Sequence, residues 1–150
     1  MSQDRDLIKL YSGRILALAA AIPRIGHLDA PDATARRRSP LCGSTVTVEL
    51  KVDHGRISDF AQDVKACALG QAAASVIGAE IIGSDIHDIK RLRDELKAML
   101  EQDGPPPTAP FQELEVLIPA RAYKNRHASI LLAAEATLEA LEQAEAQDCA

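Results

Sequence analysis

An α+β fold in which helices outnumber strands is predicted by three features of this chain. The run Thr45-Val-Thr-Val-Glu-Leu-Lys-Val52 alternates polar and apolar residues without a fault, the period of a strand with one buried face. Elsewhere apolar residues recur every three or four positions, as helices require. Aromatic residues make up only 3% of the chain and Trp is absent, so the core must be built from Leu, Ile, Val and many Ala, which favours close-packed helices over a large sandwich. With 150 residues, 47% of them hydrophobic and 26% charged, residues 1–150 are expected to form a single domain with its own core.

The first helix is predicted from Leu7, Tyr11, Ile15, Leu18 and Ile22, and Pro23 should stop it. Between Pro23 and Pro40 the chain is rich in Pro, Asp and Gly, with Ala33 to Arg38 as a short edge strand. Val46, Val48, Leu50 and Val52 then share one face of a strand, Asp53-His54-Gly55-Arg56 makes a tight turn, and a second strand runs from Ile57 to about Ala66. Its alternation slips near Asp59 and Phe60, which predicts a bulge. A helix follows from about Cys67 to Ile82, closed by Gly83. The next starts at Ser84 or Asp85 and buries Ile89, Leu92, Leu96 and Met99. Gly104-Pro-Pro-Pro107 ends it as a stiff linker, and a short turn spans Phe111 to Leu117. The last helix begins near Asn125, with His127, Leu131, Ala134, Leu138 and Leu141 along one face.

A formal charge of −5 argues against a nucleic-acid binder, because phosphate neutralisation needs a basic face and Arg36, Arg37 and Arg38 form the only tight basic cluster, read here as solvated. The apolar run from Ile15 to Ile22 is too short to span a bilayer, and its flank is not a basic leader, so a cytoplasmic protein is expected. The Gly-x-Gly-x-x-Gly, P-loop, Gly-x-Ser-x-Gly and His-Glu-x-x-His signatures are absent, and the carboxylates are scattered over helix surfaces.

Three cysteines, an odd number, point to metal or sulfur chemistry rather than a disulfide framework. Cys149 lies at the end of the chain and is read as incidental. Cys42 precedes the hairpin and Cys67 follows it, and because an antiparallel pair returns to where it began, both thiols should come to one end of it. Cys67 also opens a helix. A thiol there meets the positive end of the macrodipole and unpaired N–H groups, which favour the thiolate that ligates metal or attacks sulfur. Taken alone, each cysteine is better read as a small buried hydrophobe. His127 heads the apolar face of the last helix, where an imidazole needs a partner, either a core hydrogen bond or a metal. Two thiolates and one imidazole would leave a fourth tetrahedral position open, the arrangement of a site that exchanges its contents. His27, His54 and His87 sit in a loop, a turn and a first helical turn, with no such context.

The order helix, Pro40-Leu41-Cys42-Gly43, strand, turn, strand, Cys67-Ala-Leu-Gly-Gln71-Ala-Ala-Ala-Ser75, helices, Pro119-Ala120-Arg121 and last helix resembles the NifU/IscU/SufU family of iron–sulfur cluster assembly scaffolds over nearly the whole chain. The second cysteine motif, in its SufU-type form, is the most specific part, and Leu10-Tyr11 is similar to the family's opening helix. The resemblance implies an α+β domain with a small antiparallel sheet of about three strands, covered on one face by helices. It implies metal or cluster ligation by Cys42, Cys67 and His127, with Ser44 and Arg121 near the site. Two departures stand out. Ser44 replaces the aspartate of the family's Cys-Gly-Asp, which removes the carboxylate that keeps a cluster labile, and Ser44 is expected near the surface. His127 falls in the register of the family's third cysteine, so sulfur acceptance should change while metal binding persists, since imidazole ligates both zinc and iron.

The function implied by the resemblance is that of a non-enzymatic scaffold that binds a two-iron cluster or its metal precursor, iron or zinc, and passes it on. Its partners would be a cysteine desulfurase and acceptor apoproteins, with no nucleic acid or membrane, and homodimerisation is left open. The rivals are a zinc-holding SufU-like sulfur-relay adaptor and a degenerate member that serves as an interaction module.

Overall fold

A computed structural model describes residues 12–41 and 43–148. Helix α1, Gly13–Ala20, is capped by Ser12, whose hydroxyl accepts from the Ile15 amide at 3.4 Å, and it buries Ile15. Leu7, Leu10 and Tyr11 lie outside the described residues. The helix ends just before Pro23, which has no amide proton to continue the ladder.

Strands β1 (Ala33–Arg38), β2 (Thr45–Asp53) and β3 (Arg56–Lys65) form one antiparallel sheet in that order, so the short edge strand expected from Ala33 to Arg38 is present. The β2–β3 connection is the predicted tight turn. His54 and Gly55 have φ of 53° and 78°, the left-handed pair that a two-residue hairpin turn needs to match strand twist. The register slips between Lys51 and Val52, because Lys51 faces Asp59 and Val52 faces Ile57, leaving Ser58 as the extra residue.

Ala33, Leu50 and Phe60 make one row across the sheet, and Ala35, Val48 and Gln62 make the next. All six are buried. On that face pack helices α2 (Ala68–Glu80), α3 (Ile86–Glu101) and α4 (Lys124–Asp148): α4 lies against β1 and β2, and α2 and α3 lie against α4. The small side chains of Ala33 and Ala35 let α4 approach the edge strand closely. Arg37 pairs with Val46 on this same face, so its guanidinium meets α4, 3.4 Å from Glu135 and 3.3 Å from Glu139. The arginine cluster, expected to be mostly solvated, ties β1 to α4 through one of its members, Arg37, in partly exposed pairs of small energetic weight.

Helix α3 starts at Asp85, which forms a capping box with Asp88. The short turn expected from Phe111 to Leu117 is instead a 3₁₀ segment, Gln112–Ala122, whose three-residue period turns Leu114, Leu117 and Ala120 inward. Pro119 fits within it. Helix α4 is buried on almost every side, through Ile130, Leu131, Leu132, Ala133, Ala134, Ala136, Leu138, Ala140, Leu141 and Ala144. It is the central post of the core.

Candidate functional site

Cys67 is the N-cap of α2, with φ −68° and ψ 169°. This extended geometry turns the chain from β3 into the helix, whose first bond runs from the Gln71 amide to the Cys67 carbonyl at 2.9 Å. No side chain caps this helix. Cys67 is partly buried and packs against the edge of the core.

Against the sulfur stands a hydroxyl. Cys67 Sγ lies 3.6 Å from Ser129 Oγ, which in turn lies 3.1 Å from Ser44 Oγ. Ser129 is 1% exposed and Ser44 5% exposed, so Ser44 is buried rather than at the surface as the sequence predicts. The reason is the shape of its loop. The Ser39 amide donates to the Ser44 carbonyl at 2.8 Å and the Gly43 amide to the Ser39 carbonyl at 2.9 Å, which folds Ser44 inward and leaves Leu41 outside, 74% exposed. Gly43 takes φ 71° to close this turn. Cys42 and Cys149 lie outside the described residues.

Gly70, one turn into α2, makes the Cys67–Ser129 contact possible. A Cβ on it would stand 2.6 Å from Ser129 Oγ and 3.1 Å from the Ser129 carbonyl oxygen. Neither Gly70 nor Ser129 is singled out by the sequence pattern. The Cys-x-x-Gly spacing, which puts a residue without a side chain on the first turn behind the thiol, is the signal that could have found Gly70.

His127 is held elsewhere. Its Nε2 donates to the carbonyls of Ala120 at 3.0 Å and Arg121 at 3.2 Å, and since carbonyls only accept, Nε2 carries the proton. The ring is 6% exposed and lines a cavity of about 400 Å³ with Leu100, Glu101, Asp103, Arg121 and Lys124. Two residues along an α-helix is a rotation of about 200°, so His127 and Ser129 project to nearly opposite sides of α4. Hydrogen bonding thus joins Cys67 to Ser129 and Ser44, and His127 to the 3₁₀ segment. Arg121 is also structural in its contacts: Nε donates to the Met99 carbonyl at 2.6 Å and Nη2 to the Gly104 carbonyl at 2.5 Å, closing the C-terminus of α3.

Among the described residues no group of three His, Cys, Asp or Glu side chains is placed to hold a metal ion. Cysteine sulfur, such as that of Cys67, is of a kind suited to zinc and to iron–sulfur chemistry alike. His54 and His87 are exposed. His27 is exposed too, but 2.6 Å from Glu49. That hydrogen bond, more than charge attraction, holds the imidazole above its ordinary value and the Glu49 carboxyl below its own. No described helix is long and apolar enough to cross a membrane.

A family model of the NifU-like N-terminal domain matches residues 10–141. The chain is similar to the iron–sulfur cluster assembly scaffold protein IscU of Thermotoga maritima, 31% identical over 90 residues that cover 60% of this chain and 63% of that protein. It is also similar to the IscU scaffold protein of Streptococcus pyogenes serotype M1, 25% identical over 79% of this chain and 74% of that protein. Among solved structures, the N-terminal part of a nitrogen-fixing NifU-like protein from Brucella abortus superimposes with a TM-score of 0.92 at 44% identity, covering 95% of this chain and 99% of that one. The three-stranded antiparallel sheet under helices is thus the fold of that relative.

Proposed function

Because the chain belongs to the family of NifU-like N-terminal domains, we propose that it is a scaffold on which an iron–sulfur cluster, or the metal ion that precedes one, is held and then handed to acceptor proteins. The observation that carries this reading is the setting of Cys67: a partly exposed cysteine at a helix N-terminus that no N-cap side chain caps, beside the loop that leads into β2. The unpaired amides at the N-terminus of α2 suit an anionic cargo, and the partial exposure of Cys67 leaves it a way in and out. Relatives named as IscU scaffolds support the same assignment.

Cys42 is the proposed second thiolate ligand. His127 is the proposed third: with its proton on Nε2, the Nδ1 lone pair is left for a metal. That set requires the first turn of α4 to rotate toward Cys67 when cargo binds, and loss of metal from His127→Ala is its test. The cargo is a two-iron cluster or zinc, the sulfur donor a cysteine desulfurase, and the place of action the cytoplasm. The protein acts as a stoichiometric carrier rather than a catalyst. With a buried hydroxyl at Ser44 in place of the family's carboxylate, release is expected to be slower than in relatives that keep that carboxylate.

Purification without oxygen, followed by assay of iron, acid-labile sulfide and zinc, tests the proposal. Iron with sulfide is the expected result. Zinc alone would shift the assignment to a sulfur-relay adaptor, and neither metal in the wild-type chain would overturn both.

A further inference from the structure

We propose that Ser129 is the positioning residue for Cys67: its hydroxyl hydrogen-bonds the sulfur and holds it in the orientation in which it takes up a metal ion. This rests on the metal-binding reading above. The sulfur and the hydroxyl are 3.6 Å apart, within the range of a hydrogen bond to sulfur, and they come from α2 and α4, 62 positions apart in the chain. A polar side chain that is 1% exposed is costly in a core of Leu, Ile and Ala unless it is bonded. Here it is bonded to the sulfur on one side and to Ser44 Oγ, 3.1 Å away, on the other.

The packing around Ser129 is cut to fit it. A Cβ on Gly70 would stand 2.6 Å from Oγ, 2.9 Å from Ala66 Cβ and 3.1 Å from the Ser129 carbonyl oxygen, so a side chain there forces the hydroxyl or its surroundings to shift. The direction of the bonds depends on the sulfur. A thiol can donate to Ser129, whereas a thiolate or a metal-bound sulfur can only accept, so the Ser129 proton turns toward it and Ser44 is near enough to donate to Ser129 in turn. Hydroxyl rotation alone makes this change. A hydrogen bond fixed on the ligand sulfur sets its orientation and tunes its donation to the metal, as outer-shell partners do for other ligands.

Zinc affinity of the full chain, measured by competition with a chromophoric chelator, and the sulfur-to-cobalt charge-transfer absorption of the cobalt-loaded chain test the proposal. Ser129→Ala is expected to weaken zinc binding by about 10–100-fold and to shift the charge-transfer band. Ser129→Thr keeps the hydroxyl and should return both toward wild type. Alanine is the best helix former, which favours folding of the first variant. Should circular dichroism show it unfolded, Gly70→Ala, which retains the hydroxyl but displaces it, should give the same loss. Unchanged zinc affinity and an unchanged cobalt spectrum in the folded Ser129→Ala protein would overturn the role of Ser129 and leave the scaffold reading intact. A wild-type chain that takes up neither ion would remove both.

Discussion

The start of α4 serves two polar neighbourhoods that differ in kind. On one side Ser129 meets Cys67 and Ser44, a buried hydroxyl pair against the sulfur of a partly exposed residue. On the other, His127 and Arg121 spend their N–H groups on backbone carbonyls of Ala120, Arg121, Met99 and Gly104. The second neighbourhood satisfies itself, since each of these donors ends on a backbone carbonyl. The first ends on a thiol, which has lone pairs to offer, on a residue that is partly exposed. A buried histidine and a buried serine one half-turn apart on the same helix can therefore have partners of different kinds.

The largest expected effect is at the sulfur. Cys67→Ser should abolish tight zinc and cobalt binding while leaving the thermal unfolding midpoint close to wild type, because a half-buried thiol contributes little packing; a large drop in midpoint with metal content intact would invert the comparison. Arg121→Ala is the matching change on the other side. It removes charge-assisted bonds to two carbonyls, and chemical denaturation should show a loss of about 1.5–3 kcal/mol with unaltered alkylation of Cys67 by iodoacetamide. His127→Ala should cost about 1–3 kcal/mol, since the Ala120 and Arg121 carbonyls lose their shared donor. Measuring zinc stoichiometry on the same sample sharpens the contrast: full retention confines the imidazole to the staple.

A smaller effect belongs far from both. Asp85→Ala removes the capping box of α3 and should lower stability by about 1 kcal/mol, read from the same denaturation curves. Smallest is the pH dependence of the His27–Glu49 pair. The imidazole, raised from 6.5, contributes stability that is complete below that value and lost as pH rises through its folded value. The carboxylate, lowered from 4.5, contributes stability that is present above that value and lost as pH falls through its own folded value. The pair is therefore at full strength between about 4.5 and 6.5, and His27→Ala should flatten the alkaline limb of the melting-temperature profile. An unchanged profile would show that the pair is fully screened, as exposed pairs often are.

Local pattern accounts for what is legible in the sequence. The strand from Thr45, the turn at His54-Gly55, the helix opening at Cys67 and the cap at Asp85 each depend on a few consecutive residues, and each stands where those residues predict. The bulge is displaced by only a residue, to Ser58, because a break in alternation marks a slip without fixing which residue is left over. The layered arrangement is legible through the family resemblance, since periodicity alone does not contain it.

Short-range pattern therefore sets the succession of elements and the thiol at the head of α2. Which side chain stands against that thiol is a matter of packing between elements distant in the chain. An amphipathic helix announces its orientation through one apolar stripe, but α4 is buried nearly all round, so the row His127, Leu131, Ala134, Leu138 and Leu141 is one of several inward faces. Its rotation is set by neighbours from three other elements: the alanines of β1, Gly70 of α2 and the carbonyls of the 3₁₀ segment. That rotation brings Ser129 to Cys67 and turns His127 to the carbonyls, and no periodicity within the helix encodes it.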